Sequence, residues 1–280
     1  MNSKKINKEI LNIENLSIEA NKKNIISNIN IKINSQEIVG LVGESGCGKS
    51  VTALSILKLT DENAMQISSG KIIFLKNNLL LKDEKDLTKI RGKEISMIFQ
   101  EPMTSLNPVF TIGDQINEVI LIHENLSKSS ATNKTIELLD KVGIPNPNVS
   151  FKKYPHQLSG GQRQRVMIAM ALACGPRLLI ADEPTTALDV IVQSQILKII
   201  KRLKEEFQMS VLLITHDLGL VQDFCDRVYV MYDGRILENA DCNELFQKPT
   251  HQYTKDLLKT RPAANPPGKP LPVIKRDYPL

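Results

Sequence analysis

The residues best placed by type and spacing to do chemistry are Gly43-Glu44-Ser45-Gly46-Cys47-Gly48-Lys49-Ser50. Glycines let a backbone approach a large anion with no Cβ in the way. The spacing is G-x-x-x-x-G-K-[ST], in which successive amides cradle phosphates. Ile38-Val39-Gly40-Leu41-Val42 precedes it as an apolar, strand-like run, and Val51 to Leu57 follows as a helix-like run. Amides from Gly43 through Val51 then point at the anion from the loop and the helix start. Lys49 is expected to reach the β- and γ-phosphates of a nucleotide, and Ser50 to set its hydroxyl on Mg²⁺. The plain alternative is a glycine turn leading into a helix; the flanking strand and helix argue against it.

Four more polar residues join this set. Gln100, Asp182, Glu183 and His216, like the loop that carries Lys49, follow apolar strand-like runs. Open α/β sheets bind ligands at the carboxyl ends of their strands. Asp182 is suited to hold Mg²⁺, usually through its waters. Glu183 is suited to orient or deprotonate an attacking water. Gln100, both donor and acceptor, can bridge metal and water, and His216 can donate to a γ-phosphate. Taken singly each has a bland reading: a turn after a strand, a structural histidine, a surface glutamine. Leu158-Ser159-Gly160-Gly161-Gln162 adds a second glycine-rich helix start. Ser159 reads as its N-cap. With no lysine of its own, the stretch resembles half an anion site, in need of a phosphate held by something else.

These residues need a sheet with helices to position them. Ile10–Ile13, Leu16–Ile18 and Ile29–Ile33 read as strands, the last with period two. Residues 70–75 read as another strand, and 76–92 as a surface hairpin with a short helix. Ile95–Phe99 is an apolar strand ending at Gln100. Residues 101–108 form a proline-marked loop. A helical pattern runs from about Thr111 to Val142, with a polar break at 127–130. Residues 101–158 therefore read as a helical insertion in an α/β domain. Residues 160–174 predict a buried helix, 178–181 and 211–214 buried strands, and 190–207 an amphipathic helix. From about Arg261 the chain reads as an extended, proline-rich arm.

Composition sets bounds. The 280 residues, 41% of them apolar, can bury a substantial core. The longest apolar run, Val166 to Cys174, is about half of what a membrane span needs. The N-terminus lacks the apolar core of a secretory signal. Four well-separated cysteines with no C-x-x-C pair signal neither zinc nor an iron–sulfur cluster. Cys47, inside the loop, argues for a reducing cytoplasm. The net charge of +5 reads as solvated lysines. With 4% aromatics there is little to stack single-stranded bases.

The whole set resembles the ATP-binding subunits of ABC transporters. Gly43–Ser50 matches Walker A, Gln100 the Q-loop, and Leu158–Gln162 the signature. Leu178–Asp182 matches Walker B, with Glu183 as the candidate base. Ala187-Leu188-Asp189 matches the D-loop, and His216 the switch histidine. Order and spacing hold from about residue 10 to 260. Residues 99–108, 154–161, 181–190 and 249–254 are similar to the peptide/nickel importer branch, and Met103-Thr104 to the first of its paired ATPases. The resemblance implies a P-loop core with an antiparallel β subdomain and a helical insertion. It implies an ATPase domain over 1–260, followed by the arm at 261–280. ATP and Mg²⁺ are the implied ligands, with Ser50, Gln100 and Asp182 at the metal. Two such subunits, by resemblance a heterodimer, would sandwich ATP between each phosphate loop and the partner's signature. Two membrane permease subunits, a solute-binding protein reached indirectly and a place on the cytoplasmic face of the membrane are also implied, with no nucleic acid.

One departure concerns adenine. Ala20 stands where the family usually has a stacking aromatic, so adenine stacking is either lost or supplied by a nearby apolar residue such as Ile18 or Ile25. The readings weighed against an importer are an ABC-type ATPase acting on ribosomes or DNA and a non-hydrolysing regulatory subunit. A single ATPase unit without a long coiled-coil insertion disfavours the former, and an intact Glu183 and His216 the latter.

Overall fold

Hydrophobic periodicity switches between two and 3.6 residues along the chain, and the elements follow those switches. The computed structural model describes residues 8–61, 63–100, 105–186, 188–261 and Tyr278. In chain order its strands are β1 (Glu9–Ala20), β2 (Lys23–Asn34), β3 (Ile38–Val42), β4 (Met65–Phe74), β5 (Asn77–Asn78), β6 (Ile95–Ile98), β7 (Leu178–Asp182), β8 (Ser210–Thr215), β9 (Arg227–Tyr232) and β10 (Arg235–Asp241). The helices are α1 (Lys49–Ile56), α2 (Glu84–Ile90), α3 (Ile112–His123), α4 (Lys128–Lys141), α5 (Pro147–Ser150), α6 (Gly160–Ala171), α7 (Val190–Phe207), α8 (Leu218–Gln222), α9 (Cys242–Gln247) and α10 (Gln252–Lys259). They fall into two compact units, one running up to Lys82 and resuming at Leu212, the other Asp83–Val211.

The first unit contains an antiparallel sheet in the order β2-β1-β4-β5. Ile29, Ile31 and Ile33 are fully buried, with exposed Asn30 and Lys32 between them, as one covered face requires. The two short strands expected at 10–13 and 16–18 are one strand, β1. Asn15 adopts a left-handed φ of 48° where the register with β2 shifts. Such a bulge re-aims side chains without ending the strand. Gly70 on β4 fits against it at φ 104°; a Cβ there would lie 2.6 Å from Leu16 Cα and 2.7 Å from Asn15 O. The strand expected at 70–75 is thus the second half of a longer one, and the hairpin expected within 76–92 falls earlier, β4 pairing with β5.

Elsewhere in this unit, β3 is buried along its whole length and pairs in parallel with β9, which pairs antiparallel with β10. Arg227 fastens the β2–β3 turn to β9. Its Nε and Nη2 donate to Glu37 Oε1 and Oε2 at 2.9 and 3.0 Å, and Nη2 also donates to Lys32 O at 2.7 Å.

In the second unit β6 pairs in parallel with β7, Ile95 opposite Leu178 and Ile98 opposite Ala181. A helical module lies between them in sequence. The polar break expected at 127–130 falls earlier, at 124–127. Ser127 Oγ accepts the Ser130 N–H at 3.2 Å, so the serines start α4 rather than interrupt it. Asn117 joins α3 to α4 through Thr132 and Thr135, at 3.1 and 2.6 Å. The expected helix 160–174 ends at Ala171, before Gly175 at φ 62°. Arg165 donates to Val142 O and Gly143 O, satisfying carbonyls at the end of α4. α7 spans the predicted residues and buries a stripe of Ile196, Leu197, Ile200 and Leu203.

The motif residues Glu101–Thr104, Ala187 of the D-loop, and the arm at 262–277 and 279–280 lie outside the described residues. No described helix is long and apolar enough to cross a membrane. None of the four cysteines is in a disulfide.

Gly70→Ala should destabilise the protein by about 2 kcal/mol, because the new methyl meets backbone in a left-handed conformation. Urea unfolding measures it, with exposed Lys71→Ala expected to leave the midpoint unchanged.

Candidate functional site

The loop between β3 and α1 is built for backbone chemistry. Gly43 has no room for a side chain: a Cβ would lie 2.1 Å from Met231 O and 2.9 Å from Cys47 Sγ. Gly48 stands at the N-cap of α1 with φ 107°, and no side chain caps the helix. Its first-turn N–H groups therefore look for an acceptor outside the protein's own side chains, and the helix dipole favours an anion. Lys49 lies within the loop, 5% exposed, its Nζ donating to Gly43 O and Glu44 O, both at 2.8 Å. The Cys47 thiol is raised above its ordinary pKa by burial, which outweighs the pull of Lys49. It thus stays neutral and does not oppose an anion.

Two braces hold the loop. The β9–β10 turn places Asp233 and Gly234 at φ 44° and 73°, the left-handed pair a tight hairpin needs. From it the Gly234 N–H donates to Cys47 O at 3.1 Å. On the other side the Glu44 N–H donates to Tyr253 Oη at 3.1 Å. Residues Gly43–Cys47 line a cavity of about 760 Å³ together with His216, Tyr232, Asp233, Leu257 and Thr260. His216 follows β8 and is exposed. Of the two apolar candidates near Ala20, Ile18 is fully buried in the sheet. Ile25 is half-buried, and its carbonyl lies 3.4 Å from where a Gly48 Cβ would be. Of these two candidates, Ile25 is the one whose backbone lies against the loop.

In the second unit the register of β6 on β7 sets the geometry. Partners along the pair differ by 83 positions, Ile98 facing Ala181. Two residues further on, the same offset brings Gln100 to Glu183, and Gln100 Nε2 donates to Glu183 Oε2 at 3.0 Å. Thr186 Oγ1 donates to the same oxygen at 2.9 Å. Asp182 and Glu183 are both buried, at 4% and 9% exposure. Glu183 has φ 45°, a left-handed conformation costing about 1–3 kcal/mol in a non-glycine residue. Sequence reasoning missed Thr186; its position three residues after a carboxylate in a turn was the available signal.

At α6, Ser159 Oγ accepts the Gln162 N–H at 3.3 Å, and Gln162 Oε1 accepts the Ser159 N–H at 3.1 Å. This reciprocal cap leaves Ser159 exposed at the head of the helix. A Cβ on Gly161 would lie 3.0 Å from Val192 Cγ1 of α7.

A glycine loop with an uncapped helix and a buried lysine, between a parallel strand and its helix, defines a nucleoside-triphosphate-binding α/β protein. The comparisons with known proteins narrow the class. The profile of the ABC transporter family matches residues 26–186. The oligopeptide transport ATP-binding protein AppD of Bacillus subtilis (strain 168) is 51% identical over 254 residues, 91% of this chain and 77% of AppD. The dipeptide transport ATP-binding protein DppD of the same strain is 44% identical over 270 residues, 95% of this chain and 81% of DppD. Among solved structures, the dimeric post-hydrolysis ATP-binding cassette MJ0796 bound to ADP and Pi superposes with a TM-score of 0.73 at 28% identity, covering 83% of this chain and 99% of that one. The chain belongs to the ABC transporter family, and it is an ATP-binding ATPase of that family.

Gly43→Ala should leave the protein folded and weaken ATP binding at least tenfold, since the loop must move away from Met231 to admit the methyl. Titration with a fluorescent ATP analogue, beside a thermal melt, reads both.

Proposed function

We propose that this chain is the ATP-hydrolysing subunit that powers import of peptides, or of a similar small solute such as nickel, through a membrane ABC transporter. The ATPase part is carried by one observation: Lys49 is buried in a glycine loop at the head of a helix with no side-chain cap. The transport part is supported by relatives whose names specify oligopeptide and dipeptide transport. The ribosome and DNA alternative finds no counterpart among those names.

In this reading the amides from Gly43 through Val51 receive the phosphates, and Lys49 turns from the loop carbonyls to the β- and γ-oxygens. Glu183 is the base that takes a proton from the attacking water. Gln100 and Thr186 both hold its Oε2, which fixes the carboxylate's orientation. His216 donates to the γ-phosphate. Ile25 offers adenine an apolar neighbour in place of the aromatic that Ala20 lacks.

The donors available suit Mg²⁺. The Ser50 hydroxyl, the Asp182 carboxylate and the Gln100 carboxamide are all hard oxygen ligands. Among the described residues no group of three or more His, Cys, Asp or Glu forms a cage of its own. That suits an ion held chiefly by nucleotide oxygens and water. Such an ion neutralises charge on the transferred phosphoryl group.

A second ATPase subunit, forming a heterodimer, is the proposed partner across Ser159, Gly160, Gly161 and Gln162. Val190 and Ile191, beside Asp189, support a contact there, being 77% and 72% exposed. Two permease subunits would dock near Gln100 and the helical insertion, where Val109 and Phe110 are exposed. A solute-binding protein outside the membrane would act indirectly, and the subunit would sit on the cytoplasmic face. Residues 1–260 are assigned to the ATPase domain, with its insertion at about 101–158, and 261–280 to the arm.

Glu183→Gln should bind ATP as tightly as the wild type while turnover, assayed with its partners, falls about 100-fold or more. Undiminished hydrolysis would remove Glu183 from the role of base. Gentle purification from native membranes should bring down two multi-span proteins and a second ATPase. Recovery of ribosomal proteins or nucleic acid instead would overturn the transport reading.

A further inference from the structure

The stretch Pro249-Thr250-His251-Gln252-Tyr253-Thr254 has no part in the ATP chemistry described above, yet its hydrogen bonds lead to the phosphate loop. Glu238 on β10 gathers it first. Its Oε1 accepts from the Thr250 N–H and hydroxyl at 2.7 and 2.8 Å, and its Oε2 from the His251 N–H at 3.0 Å. His251 then caps α10, its Nδ1 accepting the Tyr253 N–H at 3.1 Å. This start directs Tyr253 inward, where it is fully buried and its Oη accepts the Glu44 N–H.

Packing alone would be served by phenylalanine. The hydroxyl adds one bond, and that bond goes to the backbone of the loop that receives phosphates. Burial holds the phenol well above its ordinary pKa, so it stays un-ionised through the working pH range.

The ring is held from two sides. Tyr232 lies 4.6 Å from it between centroids, and Tyr278 lies 5.2 Å away and edge-on. Tyr278 belongs to the C-terminal arm. It is 8% exposed, and its Oη donates to Asp256 Oδ2 on α10 at 3.1 Å. Leu257 and Thr260, at the end of the same helix, line the cavity shared by the loop and His216.

We propose that Tyr253 is a positioning residue of the phosphate loop, and that Tyr278 locks it there, so that the packing of Tyr278 sets the affinity for ATP. A loop made of glycines gains affinity when its bound shape is fixed in advance. Tyr253 fixes one amide of that shape, and Tyr278 fixes Tyr253. The inference rests on the ATPase reading above.

The test uses the full chain, with a fluorescent ATP analogue and Mg²⁺. Tyr253→Phe and Tyr278→Ala should each raise Kd about fivefold, the worth of one net hydrogen bond. Tyr229→Phe is the control. It also loses buried bonds, from the Lys32 N–H and Arg227 Nη1, both at 3.0 Å. It should lower the melting temperature and leave Kd unchanged, which is what a merely structural role would do. In Tyr278→Ala, amide exchange over residues 43–47 should quicken, a readout that stands even if Tyr253→Phe does not fold. Wild-type Kd in both variants, or unchanged exchange in Tyr278→Ala, would overturn the inference. A wild-type chain that binds no ATP analogue would instead bring down the ATPase reading beneath it.

Discussion

A site that binds phosphate through backbone amides cannot hold itself in shape. Its glycines allow close approach to the anion, and the same glycines leave the loop conformationally free. Much of the first unit can be understood as the remedy. Met231 closes the space behind Gly43, Gly234 takes Cys47 O, Tyr253 takes the Glu44 amide, and the Lys49 ammonium draws the loop around itself. The first three come from elements with their own reason to be rigid: a buried parallel strand, a two-residue hairpin turn, a capped helix.

The buried carboxylate of the second unit follows a different constraint. A buried acid in a left-handed backbone conformation is unfavourable on two counts. Glu183 is sustained there by two donors on one of its oxygens, from Gln100 and Thr186. Gln100 reaches it through the register of β6 on β7, so the packing of two short apolar strands fixes where that carboxylate is held. A one-residue slip would turn every side chain of β6 to the other face and remove Gln100 from Glu183.

Position in sequence and position in the site are linked unevenly. Lys49 and Gly43 lie within a few residues of one another, as do Ser159 and Gln162, or Asp182 and Glu183. Their chemistry depends on local spacing and is readable from the residue order. The Glu44–Tyr253 bond spans 209 positions and the Gln100–Glu183 bond spans 83. No periodicity carries such a pairing, although apolar strand runs do show which residues stand at strand ends.

The sequence by itself determined the phosphate loop, the strand-end polar residues, the capped start of α6 and the whole length of α7. In each case the cause is local: glycine sterics, the period of the apolar pattern, or a serine three residues before its amide. Tertiary structure alone decided that β1 runs unbroken through Asn15, because Gly70 must lie against that bulge. And it alone brought Tyr253 to the phosphate loop and Tyr278 to Tyr253, because aromatic packing and a single backbone bond join segments that no local rule connects.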